Sequence, residues 1–291
     1  MDLTNCQICP NACGTDRTRK AGACHAPKEP RICRAALHMW EEPIISGRNG
    51  SGTIFFSGCS LSCVFCQNYE ISHREIGRIY SQDKLIDTIK HLEAEGAHNI
   101  NFVNPTHYAH ILRDVLQRYR PSIPIVYNSG GYDKADTIRE LEGLIDIYLP
   151  DLKYLSAEAA KRYSGHSNYP EVACAALDEM FRQVGKIQIK DGMLQRGMIV
   201  RHLVLPGQSK EGVRIVEYLA KRFKDDVYVS VMSQYTPHGE SERFPEINRR
   251  LKPIEYKRVV AAVQRMGLAN CYTQELESSD AAYIPPFELG E

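Results

Sequence analysis

Residues 56–70 read FSGCSLSCVFCQNYE and place Cys59, Cys63 and Cys66 within eight positions, directly after the apolar run 53–56. A closed zinc site takes four protein ligands and a ferredoxin-type cluster four thiolates, yet no fourth ligand follows here. Three thiolates on a cubane leave one iron open, and an open position is what a catalytic metal keeps for a ligand. The alternative is a zinc knuckle completed by a distant Cys or His, or three unrelated core cysteines. Gly58 permits close approach of the backbone, and Phe65 can pack beside whatever occupies the site. A second set, Cys6-x2-Cys9-x3-Cys13 with Cys24 after ten intervening residues, supplies four soft ligands. Softness alone does not choose between zinc and a second iron-sulfur cluster. Cys33, Cys174 and Cys271 stand apart and read as small buried apolar residues.

The composition narrows the setting. The 36 basic and 36 acidic residues of the 291-residue chain cancel, with no long single-sign run, so no polyanion-binding face and no nucleic-acid partner is expected. The start, MDLTNCQICPN, has neither a basic n-region nor an apolar stretch, and no segment nears the roughly 20 apolar residues of a membrane span. The expectation is a cytoplasmic protein with no membrane partner. Ten cysteines in a reducing compartment point to metal rather than disulfides.

These loops need elements to hold them. Up to about Arg48 the chain is rich in Cys, Pro, Arg and Lys with little periodicity, which predicts a Cys-rich metal-binding segment over 1–48 and a core domain with a C-terminal tail over 49–291. From Gly52 onward, predicted strands at 53–56, 100–103, 123–127, 144–149, 198–205 and 227–232 alternate with helical patterns. The first helix starts at Ser81 as N-cap, aligns Leu85, Ile86, Ile89 and Leu92 on one face, and closes at Gly96. Others cover 111–119, 134–141, 156–163, 170–184, 209–223 and 253–266, and a hairpin precedes the fifth strand. Six such units predict an α/β fold, a partial (β/α)6 barrel, with an open doubly wound sheet as the alternative. Either one puts the three-cysteine loop at the carboxyl end of the first strand, where ligands bind.

The loop CSLSCVFC resembles the CxxxCx(aromatic)C motif of the radical SAM superfamily, in which the unique iron of a 4Fe-4S cluster chelates the amino and carboxylate groups of S-adenosylmethionine. The order of elements over about 50–270 is similar too. The chain further resembles the branch related to pyruvate formate-lyase activating enzyme, where Cys-His-Asn follows the cluster; here Cys66-Gln67-Asn68 keeps the asparagine and lacks the histidine. The resemblance implies an electron donor such as flavodoxin or ferredoxin, reductive cleavage of the cofactor, and a 5′-deoxyadenosyl radical that takes hydrogen from substrate. An activase takes it from a glycine of a partner protein. Alternatives are a radical enzyme acting on a small molecule or peptide and, in another class, an iron-sulfur electron-transfer protein.

Further expectations attach to the strand ends. NFVNPTHY stands where the superfamily carries Gly-Gly-Glu, so Asn104, Thr106 and His107 could meet the methionyl amino group, or simply form a turn and cap. In YNSGGYD, Ser129 and the Gly130-Gly131 pair let backbone approach a ligand, unless they are only a glycine turn. Asp151 and Lys153 match an Asp-x-Lys near the cofactor's carboxylate in the activases. Arg201 and His202 alternate along a strand, so one of them should point inward. Ser233, Gln234 and Tyr235 end the sixth strand. Trp40 and the EEPIISG stretch are expected to tie the N-terminal segment to the barrel, and the tail SSDAAYIPPFELGE to pack across it.

Overall fold

The computed structural model describes residues 1–274, so the expected packing of the tail 278–291 lies outside the described residues. Ten strands form one sheet: β1 Arg31–His38, β2 Ser51–Phe56, β3 Arg78–Ile79, β4 Ile100–Val103, β5 Ile125–Ser129, β6 Ile147–Pro150, β7 Gln188–Lys190, β8 Met193–Leu203, β9 Tyr228–Met232 and β10 Cys271–Thr273. The order is β10-β9-β8-β6-β5-β4-β2-β1-β3, with β7 as a hairpin arm on β8. From β2 to β10 every neighbour pair is parallel, while β1 pairs antiparallel with both β2 and β3. The two ends of the sheet do not pair, so the barrel is partial, as the element count predicts.

β2, β4, β5 and β6 are buried along their whole length, as strands covered on both faces must be. Their side chains still alternate. Phe56, Phe102, Tyr127, Tyr148 and Val200 face outward and pack under the helices in the main core. Val126, Ile147, Leu149 and Ile199 face inward and form a separate small cluster with Ile44 and Ile45. Those two isoleucines come from the short helix Pro43–Ser46, which plugs the inner space; the stretch expected to tie the N-terminus to the barrel therefore does so from inside. One step further along each strand the inward positions turn polar: Asn101, Asn128, Arg201 and Ser230.

Helix Gln82–Ala94 has the expected Ser81 cap, whose side chain accepts Lys84 N–H at 3.2 Å, and buries Leu85, Ile86, Ile89 and Leu92. Several elements depart from expectation at their edges, β6 starting at Ile147 rather than 144 and β8 at Met193 rather than 198 among them. β5 begins at Ile125 rather than 123, because Pro124 has no N–H for the ladder and contributes only its carbonyl, which accepts Ile100 N–H at 2.9 Å. The predicted helix 134–141 is shortened to Ala135–Arg139. Three strands go unforeseen. β10 adds a seventh parallel strand of three residues, too short to show a period. β1 and β3 are an antiparallel extension, and β1 lies within 1–48, where mixed residues such as Arg34 and Cys33 hide the alternation.

Candidate functional site

The three-cysteine loop leaves β2 through Gly58, whose φ is +84°. A Cβ there would lie 2.2 Å from the carbonyl of Cys24, so the position requires glycine. Beyond it the loop is pinned on several sides: Cys59 N–H donates to Cys24 O at 3.2 Å, Val64 N–H to Tyr163 O at 2.9 Å, and Glu240 N–H to Val64 O at 2.7 Å. Cys59, Cys63 and Cys66 all line one cavity of about 460 Å3. Each sulfur has a hydrogen-bonding neighbour: Leu61 N–H donates to Cys59 Sγ at 3.4 Å, Cys63 Sγ is 3.0 Å from Ser164 Oγ, and Ser72 Oγ donates to Cys66 Sγ at 3.4 Å. Burial pushes the Cys63 thiol up to about 11, against the opposing pull of the Lys153 ammonium. A bound metal overturns that balance, since coordination deprotonates a thiol outright. The donor set, its glycine entry and its polar neighbours fit an iron-sulfur cluster with one open corner. Among the described residues no three Cys, His, Asp or Glu side chains converge on a point small enough for one ion; a cubane spreads its thiolates over separate corners.

Across the cavity, Asp151 follows β6. Its Oδ2 meets Lys153 Nζ at 2.5 Å and its Oδ1 meets Arg201 Nε at 2.9 Å. Burial alone would raise the Asp151 carboxyl, but Lys153 and Arg201 outweigh it and hold it below the usual range. The turn is locked from behind by Tyr169, whose hydroxyl lies 2.9 Å from the carbonyls of Gly130 and Asp151 and accepts Lys153 N–H at 2.9 Å. Gly131, at φ +78°, brings its backbone so close that a Cβ would stand 2.0 Å from Asp151 O.

The floor of the cavity is acidic. Glu41 Oε1 accepts Asn101 Nδ2 at 3.0 Å and Asn128 Nδ2 at 3.3 Å, while its Oε2 lies 3.5 Å from Arg201 Nη1. Arg201 Nη2 in turn donates to Asn128 Oδ1 at 2.7 Å. Glu42 also lines the cavity, and burial pushes both glutamates toward the protonated form against the pull of Arg201. Glu41, Glu42, Asn128 and Tyr169 escaped the sequence reading. The signal for the first two was two adjacent acids directly before a Pro-Ile-Ile turn, a pattern that solvated surfaces also produce.

Of the residues singled out in the sequence, the cavity wall gathers Phe65, Asn68, Asn104, Ser129, Gly130, Asp151, Lys153 and Arg201, together with Gln234. Asn104, at φ +57°, donates from Nδ2 to Gly58 O at 2.6 Å, and its Oδ1 lies 3.6 Å from Cys59 Sγ. Ser129 is committed to Asp133, donating to Oδ2 at 2.6 Å. Three candidates lie outside the cavity wall, the turn reading holding for two of them. Thr106 donates to the same buried Asp133 at 2.7 Å, and His107 Nε2 is held 2.8 Å from Ser57 O; both sit in the 3-10 turn Thr106–Tyr108, which turns away from the cavity. His202 lies on the outer face of β8, its Nδ1 2.9 Å from Leu152 O, beside Gly212 and Val259. The strand period sends Arg201 inward and therefore sends its neighbour out. Tyr235 stands behind the loop, its ring 5.9 Å from that of Phe65 and its hydroxyl donating to Ile247 O.

The N-terminal cysteines fold against this loop. Cys6, Cys9 and Cys24 are buried and Cys13 is exposed. A Cβ on Gly22 would lie 3.5 Å from Cys24 Sγ and 3.7 Å from Cys13 Sγ. Burial, with Cys24 beside it, pushes Cys9 up to about 12; burial also raises Cys13, but hydrogen bonds from Thr15 and Ala23 outweigh it and bring that thiol to about 7. The buried Arg17 fastens the segment, donating to the carbonyls of His107 at 2.6 Å, Pro27 at 2.6 Å and Ala26 at 3.1 Å.

Residues 53–219 match the radical SAM superfamily. An uncharacterized protein of Methanocaldococcus jannaschii, MJ0674, is 30% identical over 278 residues, covering 92% of this chain and 77% of its own. Among solved structures, methylornithine synthase (PylB) superposes with a TM-score of 0.51 at 16% identity, over 74% of this chain and 62% of its own. The FeFe-hydrogenase maturase HydG from Carboxydothermus hydrogenoformans gives 0.50 at 16% identity, over 81% of this chain and 57% of its own. The chain thus spans less than two thirds of the length of those two structures, and the likeness to them is one of fold. The matched span opens at the strand that carries the three-cysteine loop and runs through the inward charges on the later strands: this chain belongs to the radical SAM superfamily.

Proposed function

We propose that Cys59, Cys63 and Cys66 hold a 4Fe-4S cluster with one open iron, and that Asp151 and Lys153 orient the methionyl end of S-adenosylmethionine beside it. The cluster and cofactor would supply reductive cleavage of the sulfonium bond and a 5′-deoxyadenosyl radical that abstracts hydrogen from substrate. The protein's share is position and exclusion of water. Lys153 presents a positive charge suited to a carboxylate, Gly130 keeps the wall low enough for close approach, and the apolar plug of Ile44 and Ile45 seals the cavity from below. The observation that carries this reading is that the thiols and the Asp151–Lys153–Arg201 array open on one cavity. An electron-transfer protein has no use for such a cavity.

The reaction proposed is activation of a partner protein at a glycine, as in activases of the pyruvate formate-lyase type, with flavodoxin or ferredoxin as electron donor. A small molecule or peptide is the second reading, favoured by a cavity of about 460 Å3 floored by polar groups, which suits a modest ligand. The four N-terminal cysteines form a second metal site, zinc or iron-sulfur; as they stand, no three of them converge closely enough for a single ion, so zinc would require the segment to draw in around it, whereas a cluster would not. Their direct backbone link to the cluster loop, Cys59 N–H to Cys24 O, supports coupling between the two sites. Anaerobic reconstitution with reductant and assay for 5′-deoxyadenosine tests the radical chemistry, and wild-type cleavage by Cys63→Ala would sink it. Electron paramagnetic resonance after incubation with candidate partner proteins tests activation. Deoxyadenosine formed without any glycyl radical would favour the smaller substrate.

A further inference from the structure

Within the proposed radical site, five charged side chains among the described residues line the cavity besides the cysteines and His38: Asp151, Glu41, Glu42, Lys153 and Arg201. Asp151 is paired with both cations, and Glu41 with Arg201. All the guanidinium contacts of Arg201 given above go to Asp151, Glu41 and Asn128. Glu42 is left over. It is nine-tenths buried, Ser230 is its hydrogen-bond partner, and its Oε2 has no partner among the described residues. A buried carboxyl oxygen without a partner is expensive, and it persists where a ligand completes it.

Its place says which ligand. Ser230 is on β9, and the ring of Tyr272, on β10, lies within electrostatic reach of Glu42 and lines the same cavity. The cysteine loop follows β2, at the other end of the parallel series. A carboxylate beside an aromatic ring is the recognition chemistry of a cationic nitrogen. We infer that Glu42 receives a positively charged nitrogen of the substrate, an alkylammonium or guanidinium group, on the side of the cavity away from the cluster. This rests on the radical reading of the site and narrows its substrate to one carrying such a cation. The group would sit on Oε2, supply the missing donor and fix which carbon of the substrate faces the cofactor.

The test titrates the full-length, anaerobically purified protein with n-butylammonium, with guanidinium and with neutral n-butanol, in the absence of S-adenosylmethionine, and reads binding by calorimetry and thermal shift. Wild type should bind at least one of the cations and ignore butanol, and Glu42→Gln should lose about tenfold or more of that affinity. Glu42→Gln should also be at least as heat-stable as wild type when unliganded, since a neutral amide of the same shape replaces a carboxyl that burial penalises in its charged form; Glu42→Asp, which keeps the acid on a shorter arm, should bind the cation with intermediate affinity. Equal binding of cation and butanol, no cation binding by wild type, or undiminished binding by Glu42→Gln would each overturn the inference. So would a loss of S-adenosylmethionine affinity in Glu42→Gln with the cation response intact, because the carboxylate would then serve the cofactor. Absence of deoxyadenosine from reconstituted wild type would instead sink the radical reading, and the cofactor-free titration would still decide the role of Glu42.

Discussion

Gly131→Ala is a sharp test of how the cavity wall is built. Gly131 has φ +78°, and an added Cβ would stand 2.0 Å from Asp151 O and 3.0 Å from the Tyr169 hydroxyl. Two costs follow. Holding an alanine in the left-handed region costs about 1–2 kcal/mol. Relieving the overlap requires the Gly130-Gly131 and Asp151 backbones to separate by more than 1 Å, about 1–3 kcal/mol for an overpacked buried site. The sum is about 2–5 kcal/mol, which for a chain of this size lowers Tm by roughly 4–20 °C. Gly207 supplies the control: its φ is +77°, nearly the same, yet nothing lies within 4 Å of its Cβ position. Gly207→Ala should therefore cost only the conformational part. The difference between the two variants isolates the close approach, and differential scanning calorimetry measures it. Because the displaced carbonyl belongs to Asp151, Gly131→Ala should also weaken S-adenosylmethionine binding, and Gly207→Ala should not. Equal Tm losses in the two variants would refute the reasoning, since the overlap would then contribute nothing.

Lys153→Ala should weaken binding of S-adenosylmethionine while leaving iron content at the wild-type level; unchanged affinity in a calorimetric titration would return Asp151 and Lys153 to a purely structural pair. Metal analysis of the reconstituted full-length protein should find either about eight irons, or about four irons and one zinc, and Cys6→Ser with Cys9→Ser should remove only the second site; wild-type metal content in that double variant would remove the N-terminal cysteines from the ligand set. Burial lowers His202 to about 4, so it folds as the neutral imidazole. The unfolded chain then binds the extra proton between about pH 6.5 and pH 4, and stability should fall as pH drops through that window, by an amount on the order of 3 kcal/mol at its lower end. His202→Asn should flatten that part of the denaturation profile, and an unaltered slope would count against a buried neutral histidine.

What the sequence determined by itself was local. Cys59, Cys63 and Cys66 are close because they are seven residues apart at most, and Gly58 and Phe65 travel with them. The Ser81 cap, the apolar stripe of the helix after it and the β4 segment Ile100–Val103 are set by neighbours within a few positions. The same short-range periodicity implied one inward and one outward member of Arg201–His202, though not which. Tertiary structure decided that, because the choice depends on the register of β8 against β6 and β9. It also decided that Thr106 and His107 face away from the cavity: their turn buries them against Asp133 and Ser57, residues 27 and 50 positions distant. The acidic floor was the least legible part. Glu41 is an ordinary polar residue in sequence until a plug of two isoleucines carries it inside the sheet, where Asn101, Asn128 and Arg201, from three different strands, converge on it. A charge's meaning depends on what surrounds it in space, and here its partners lie 60, 87 and 160 residues along the chain.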